Sequence, residues 1–289
     1  MRKTAGLVAA LMLTVPLQAD IAVLPGLATP TVGDYGGTTG DPFGGTPYAP
    51  LLAYWKMSEA SDTTRADSVK LIPGLDALVV DNGAFNVTQV AGKLGNATRF
   101  DASTSSDILR TTAGFGPATS MILTRSFVFW FWAAASTDRI LYLEAKLGDA
   151  TPTRLYVRTT ISGGGTLTVN MLVRKFPDGT DQSTCGISMG IVSSLPRWSF
   201  LAVLYDDSTG APFYIPWSDA SGSLVAGSAC NFSGFSTGQH ALNGTSVEFG
   251  SNTGGQSQMD LDDFAVYDPR LTPGQVSWLW NSGNGRALF

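Results

Sequence analysis

Histidine and glutamate are almost missing from this 289-residue chain: His240 stands alone, and Glu59, Glu144 and Glu248 are the only glutamates. The lone histidine sits in a Gly/Ser/Thr-rich stretch, "SGFSTGQHALNGT". It gives a serine or cysteine no pattern of partners for nucleophilic hydrolysis, and no nucleophile elbow is expected around any serine. No two glutamates are close enough in sequence to share a strand face as Glu-x-Asp-x-Glu, so the paired acid and base of glycoside hydrolysis are not evident. There is no Gly-Lys-Ser/Thr loop to cradle a phosphate. Lysine and arginine nowhere cluster in the sequence, and the net charge is -5, which argues against nucleic acid as a main partner. The apolar run Ala5 to Val15 is shorter than the roughly 20 residues of a membrane span. Cysteine is limited to Cys185 and Cys230. They can form one disulfide, closing a loop of about 45 residues and contributing roughly 4 kcal/mol in the chain-entropy model, or remain two buried thiols. A zinc site built from them and His240 lacks the short ligand spacing such sites show.

What is present is material for strands. Apolar residues make up 44% of the chain and charged residues only 14%, with 33 glycines, enough for a core with many turns. Arg154 to Thr159 alternates, with Leu155 and Val157 opposite Arg154, Tyr156 and Arg158. Leu167, Val169, Met171 and Val173 share one face of the next such segment. Alternation with one wet face suits an antiparallel sandwich. Phe127 to Trp132 is apolar on both faces and predicts a central strand, with Phe127, Phe129 and Phe131 on one side and Val128, Trp130 and Trp132 on the other. Near the C-terminus, "MDLDDFAVYDPRLTPGQVSWLWNSGNG" predicts a strand, a turn and a short helix. Period-two alternation there puts Asp262, Phe264 and Val266 on one face. Thr272, Pro273 and Gln275 suit a capped helix start and Gly283 its end, with Trp278 expected to pack inward.

Three segments are expected. Residues 1–19 look like a secretory signal: Arg2 and Lys3, an apolar run, Pro16, then Leu17-Gln18-Ala19 as a cleavage site. Residues 20–50 are Gly/Pro/Thr-rich with a loose duplication, "GDYGGT" and "GDPFGGT", and read as a linker or as an arm that orders against neighbouring subunits. Residues 51–289 form the domain.

That domain resembles the laminin-G-like, concanavalin A-like family. The landmarks are "LLAYWKMSEASDTTRADSV" (51–69), "AGKLGNATRFDAS" (91–103), "SFVFWFWAAA" (126–135), "RWSFLAVLYDDSTG" (197–210) and the C-terminal strand and helix, in the family's order. The resemblance implies an antiparallel jelly-roll β-sandwich with a short C-terminal helix, here preceded by an extended Gly/Pro-rich arm. It does not fix a function, because one fold hosts many. The laminarinase-like branch of this fold uses Glu-x-Asp-x-Glu, and Asp260, Asp262 and Asp263 only imitate it. Relatives often hold calcium, and Glu59, Asp67 and Asp262 fall at acidic landmarks. A structural Ca2+ on those three is one expectation, and carboxylates bonded to backbone amides the other. Tyr156, Tyr214 and Trp217 are candidates for stacking on surface glycans. A non-enzymatic protein is expected. One reading is a structural or display subunit of a large assembly, such as a phage virion component, tied to other subunits by the arm. The alternative is an exported carbohydrate-binding or adhesion module at the extracellular surface. Neither reading calls for nucleic acid or a membrane span.

Overall fold

The computed structural model describes residues 43, 51–61, 63–70, 77–80, 87–101, 108–116, 121–133, 138–146, 153–161, 166–174, 182–191, 198–206, 213–218, 224–230, 241–242, 244–250, 258–268, 270–286 and 288. The chain divides into Met1–Thr39 and Gly40–Phe289, and every described residue belongs to the second unit. The signal-like segment 1–19, and the arm 20–50 apart from Phe43, lie outside the described residues.

Two antiparallel sheets carry the fold. Sheet one holds β1 (Leu51–Trp55), β4 (Val87–Ala91), β5 (Asn96–Phe100), β8 (Thr124–Ala133), β13 (Trp198–Asp206), β14 (Phe213–Ser218), β15 (Leu224–Cys230) and β18 (Met259–Tyr267). Its order is β15-β14-β13-β8-β18-β5-β4, with β1 also on β18. Sheet two holds β2 (Arg65–Ala66), β3 (Ala77–Val80), β6 (Leu109–Arg110), β9 (Asp138–Ala145), β10 (Thr153–Ile161), β11 (Thr166–Arg174), β12 (Gln182–Ile191) and β17 (Ser246–Phe249). Its order is β12-β11-β10-β9-β17-β6-β3-β2. A small separate pair joins β7 (Met121–Ile122) to β16 (Ala241–Leu242).

The core lies between the sheets and follows the alternation in the sequence. Phe127, Phe129 and Phe131 of β8 meet Leu155, Val157, Val169, Met171 and Val173 from β10 and β11 in one buried cluster. The opposite face of β8 is buried too. Val128 and Trp130 join Phe200, Leu204 and Tyr267 in a second cluster on the outside of sheet one. The C-terminal helix α1 (Pro273–Trp280) covers that cluster with Val276 and Leu279. Its start is the expected capping box: Thr272 Oγ1 accepts from Gln275 N at 3.3 Å, and Gln275 Oε1 accepts from Thr272 N at 2.8 Å. The end differs from expectation. Asn281 takes the left-handed cap position at φ 50°, and Gly283, at φ 82°, closes the 3-10 turn that follows. Trp278 is half-buried and packs against that outer cluster, as expected; Phe43 meets its ring edge-on at 5.5 Å and stacks on Tyr267 at 6.2 Å.

One correction concerns β18. Asp262 pairs with Trp130 but Ala265 with Val128, so one extra residue bulges out of β18 between them. Asp263 adopts φ 46° there. The bulge breaks the period of two. Asp262 therefore sits on the outer face of sheet one with Trp130, and Phe264 turns into the core. Phe264 then stacks on Phe129 at 4.8 Å and Tyr142 at 5.4 Å, with Phe249 edge-on at 4.8 Å. The expectation that Asp262 shares one face with Phe264 and Val266 fails because simple alternation cannot see an inserted residue.

Candidate functional site

The three acidic landmarks do three separate jobs. Asp67 is fully buried; its Oδ1 accepts from the Tyr54 N–H at 2.8 Å and the Val69 N–H at 3.0 Å, and its Oδ2 from Lys70 N–H at 3.1 Å. It locks β1 to the turn beyond β2. Glu59 Oε1 accepts from Ala66 N–H at 2.8 Å. Asp262 Oδ2 accepts from Leu94 N–H at 2.7 Å and so pins the β4–β5 turn. Among the described residues no group of three or more metal-ligating side chains occurs. The structure thus engages Glu59, Asp67 and Asp262 with backbone amides and does not bring them together around one cation. Arg65, which the sequence reading missed, is the buried tie in this region: its Nε donates to Thr98 Oγ1 at 2.8 Å.

Asp262 and Asp263 form an adjacent carboxylate pair at the bulge, beside Tyr54. Burial pushes the Asp263 carboxyl up to about 8; the Asp262 charge adds to the rise, and the Tyr54 hydroxyl and Lys56 oppose it. Burial likewise raises Asp262 to about 6 against the backbone N–H groups of Leu94, Lys93 and Asp263. Tyr54 itself is held far above its ordinary value, first by burial and then by Asp263. The space beside Asp263 is only about 20 Å³, walled by Trp130, Phe200, Leu279 and Leu288 among others. That is room for a water, not for a sugar, so the pair does not flank a substrate in the manner of a glycosidase.

A second buried polar group ties the two sheets. Arg125 of β8 donates through Nη1 to Glu144 Oε1 of β9 at 3.0 Å, and Tyr142 donates to the same oxygen at 2.9 Å. Gly244 N–H reaches Glu144 Oε2 at 3.2 Å, and the Arg125 guanidinium lies 4.6 Å over the Phe115 ring. Beside Arg125 a cavity of about 270 Å³ opens at the β7–β8 corner, lined also by Leu52, Phe115, Leu123, Thr124 and Asp268. The sequence held no signal for it, because Leu52, Phe115 and Asp268 meet the contiguous run from Ile122 to Arg125 only in the fold.

Sheet two carries its functional candidate on the outer face. Cross-strand pairing sets a row there: Arg110 opposite Glu248, Glu248 opposite Leu143, Leu143 opposite Tyr156, and Tyr156 opposite Leu172. Arg158 pairs with Asn170 beside this row. Arg154 is buried, while Tyr156, Arg158, Asn170 and Arg174 are half-buried. Burial lowers the Arg174 pKa, and the nearby Arg154 charge lowers it further. Arg110 Nε is paired to Glu248 Oε1 at 2.8 Å. Alternation along β10 sets Arg154 and Arg158 either side of Tyr156, and strand pairing adds Arg174 of β11 to the same face. Tyr214 and Trp217 belong to sheet one on β14, where Tyr214 pairs with Leu204 and Trp217 with Leu201. Their side chains lie outside the described residues, and the three aromatic candidates are split between the two sheets.

Cys185 on β12 is disulfide-bonded. The side chain of Cys230, the only other cysteine, lies outside the described residues; its strand β15 neighbours β12. Contrary to the expectation that no serine is flanked in this way, two stretches do read Gly-x-Ser-x-Gly, at 186–190 and 234–238. Ser188 of the first lies within β12 opposite Thr168, on a continuous strand and not on a strand-to-helix turn. The second, with His240, lies outside the described residues.

No family model and no curated protein matches the sequence. Solved structures share its architecture. The receptor-binding domain of botulinum neurotoxin D aligns with a TM-score of 0.54 at 10% identity, over 82% of this chain and 54% of that one. The binding domain of Paraclostridial Mosquitocidal Protein 1 gives 0.53 at 14% identity, over 82% and 53%. The botulinum neurotoxin serotype D ligand-binding domain in complex with N-acetylneuraminic acid gives 0.52 at 10% identity, over 80% and 50%. These alignments span about half the length of each solved chain. At such identities they establish the fold alone: an antiparallel β-sandwich with a short C-terminal helix, similar to neurotoxin receptor-binding domains.

Proposed function

We propose that this chain is a non-enzymatic, extracellular recognition module of laminin-G-like, concanavalin A-like jelly-roll type, which binds acidic glycans on the outer face of sheet two. The observation that carries this reading is the gathering of Arg154, Arg158 and Arg174 around half-buried Tyr156, in a chain whose net charge is -5. A tyrosine ring offers an apolar surface to the flat side of a sugar, and its hydroxyl a polar edge. Guanidinium groups match carboxylate or sulfate geometry with paired hydrogen bonds. The solved neighbours support recognition as the general role, since they are binding domains and one was solved with N-acetylneuraminic acid. The alternative of a virion subunit depends on residues 20–50 as a tie between subunits, and those residues lie outside the described ones apart from Phe43. Recognition is the reading that the sheet-two face and the solved neighbours support.

The test is a glycan array probed with the full chain, the Tyr156→Ala variant and the Arg158→Gln variant. Sialylated or sulfated glycans should bind the parent chain, and each variant should weaken that binding roughly tenfold. An array on which no acidic glycan binds would sink the proposal.

A further inference from the structure

We propose a second, chemically different site: the cavity of about 270 Å³ at the β7–β8 corner binds one neutral sugar ring. The inference extends the recognition reading to a separate place on the molecule. The volume lies just below the roughly 300–1,000 Å³ of typical small-molecule sites, which suits a single pyranose better than an oligosaccharide. The lining has the two kinds of surface that a pyranose presents. Leu52, Leu123 and Phe115 supply apolar walls, and Thr124, Arg125 and Asp268 supply polar groups.

The polar groups are held in place before any ligand arrives. Thr124 Oγ1 donates to Asp268 Oδ1 at 2.7 Å, fixing the carboxylate at the rim. Glu144 holds the Arg125 guanidinium at 3.0 Å and Phe115 flanks it at 4.6 Å. Such preorganisation reduces the entropic cost of binding. Charge then selects the ligand class. Glu144 neutralises Arg125, and Asp268 adds a negative charge at the mouth, so the site carries no surplus positive charge to attract a carboxylated sugar. A neutral ring can donate hydroxyls to Asp268. The acidic glycans proposed for sheet two are disfavoured here.

The experiment uses the full chain with D-galactose, D-glucose, D-mannose and N-acetyl-D-glucosamine, and with N-acetylneuraminic acid as the anionic comparison. Saturation-transfer NMR detects contact, and titration gives affinity. At least one neutral sugar should bind with Kd of about 1 mM or tighter, and N-acetylneuraminic acid more weakly. Leu123 is 52% exposed, so Leu123→Trp should fold and place an indole across the mouth. It should weaken the neutral sugar roughly tenfold or more. Asp268→Asn, also at an exposed position, should weaken it by about the same factor, because the charged acceptor is lost. Silence from all the neutral sugars overturns the site. So does a neutral sugar that binds the parent and Leu123→Trp equally, an outcome that leaves the sheet-two proposal standing. An array without acidic-glycan binders, beside a neutral sugar lost in Leu123→Trp, sinks the sheet-two proposal and keeps this one.

Discussion

Asp263 is the residue whose surroundings make the sharpest statement. Its carboxyl is raised to about 8 in the folded chain, against about 3.9 in an unfolded one. A raised carboxyl means the native state holds the proton more tightly, so its stabilising effect is complete below the unfolded value. It is lost as pH rises through the folded value. Denaturant titrations at about pH 5, 7 and 9 should show stability falling across that range. Asp263→Asn should flatten much of the slope; Asn tolerates the positive φ of this position and carries no charge. An unchanged slope in that variant would assign the effect elsewhere. Glu144 makes the complementary case, because its loss leaves Arg125 buried and uncompensated. Glu144→Gln should destabilise by about 3–5 kcal/mol, read by the same titrations. Replacing Arg125 and Glu144 together with methionines should cost less than the single change.

At the scale of elements, the bulge in β18 and the cap of α1 decide which surfaces are buried. The bulge sends Phe264 inward and aims Asp262 at the β4–β5 turn, where Gly92 leaves it space. A Cβ on Gly92 would stand 2.6 Å from Asp262 Oδ2 and 2.8 Å from the Asn96 carbonyl carbon. Gly92→Ala should therefore destabilise by roughly 1–3 kcal/mol, measurable as a lower denaturation midpoint. Thr272→Ala removes the capping box over the outer cluster and should cost about 1 kcal/mol. The sequence announced these two elements unequally. The cap was legible because Thr272, Pro273 and Gln275 interact within one turn. The bulge was hidden because it shows only in the pairing of β18 with β8. Its one local trace is the spacing from Leu261 to Phe264, three residues between core positions where a strand keeps two.

For the whole molecule, the sandwich was legible and the proposed recognition face only in part. Alternation in β10 and β11, and the two-sided apolar run in β8, each report a local environment and so survive in one dimension. Arg154, Tyr156 and Arg158 already share one face of β10 in the sequence, but Arg110 of β6 and Arg174 of β11 come onto that face only through strand pairing. The cavity at the β7–β8 corner is hidden for the same reason. If the sheet-two face recognises charge, binding of acidic glycans should weaken with added salt, which screens charges over about 8–10 Å near physiological ionic strength, though less steeply than at fully exposed arginines because Arg154 is buried and Arg158 and Arg174 are half-buried. Neutral-sugar binding at the corner should be nearly indifferent to salt. The most direct measurement is amide NMR of the labelled chain titrated with the strongest acidic glycan from the array. Shifts centred on Tyr156, Arg158 and Asn170 of β10 and β11 are expected. Shifts confined to sheet one or to the cap of α1, with β10 and β11 silent, would contradict the proposed recognition face.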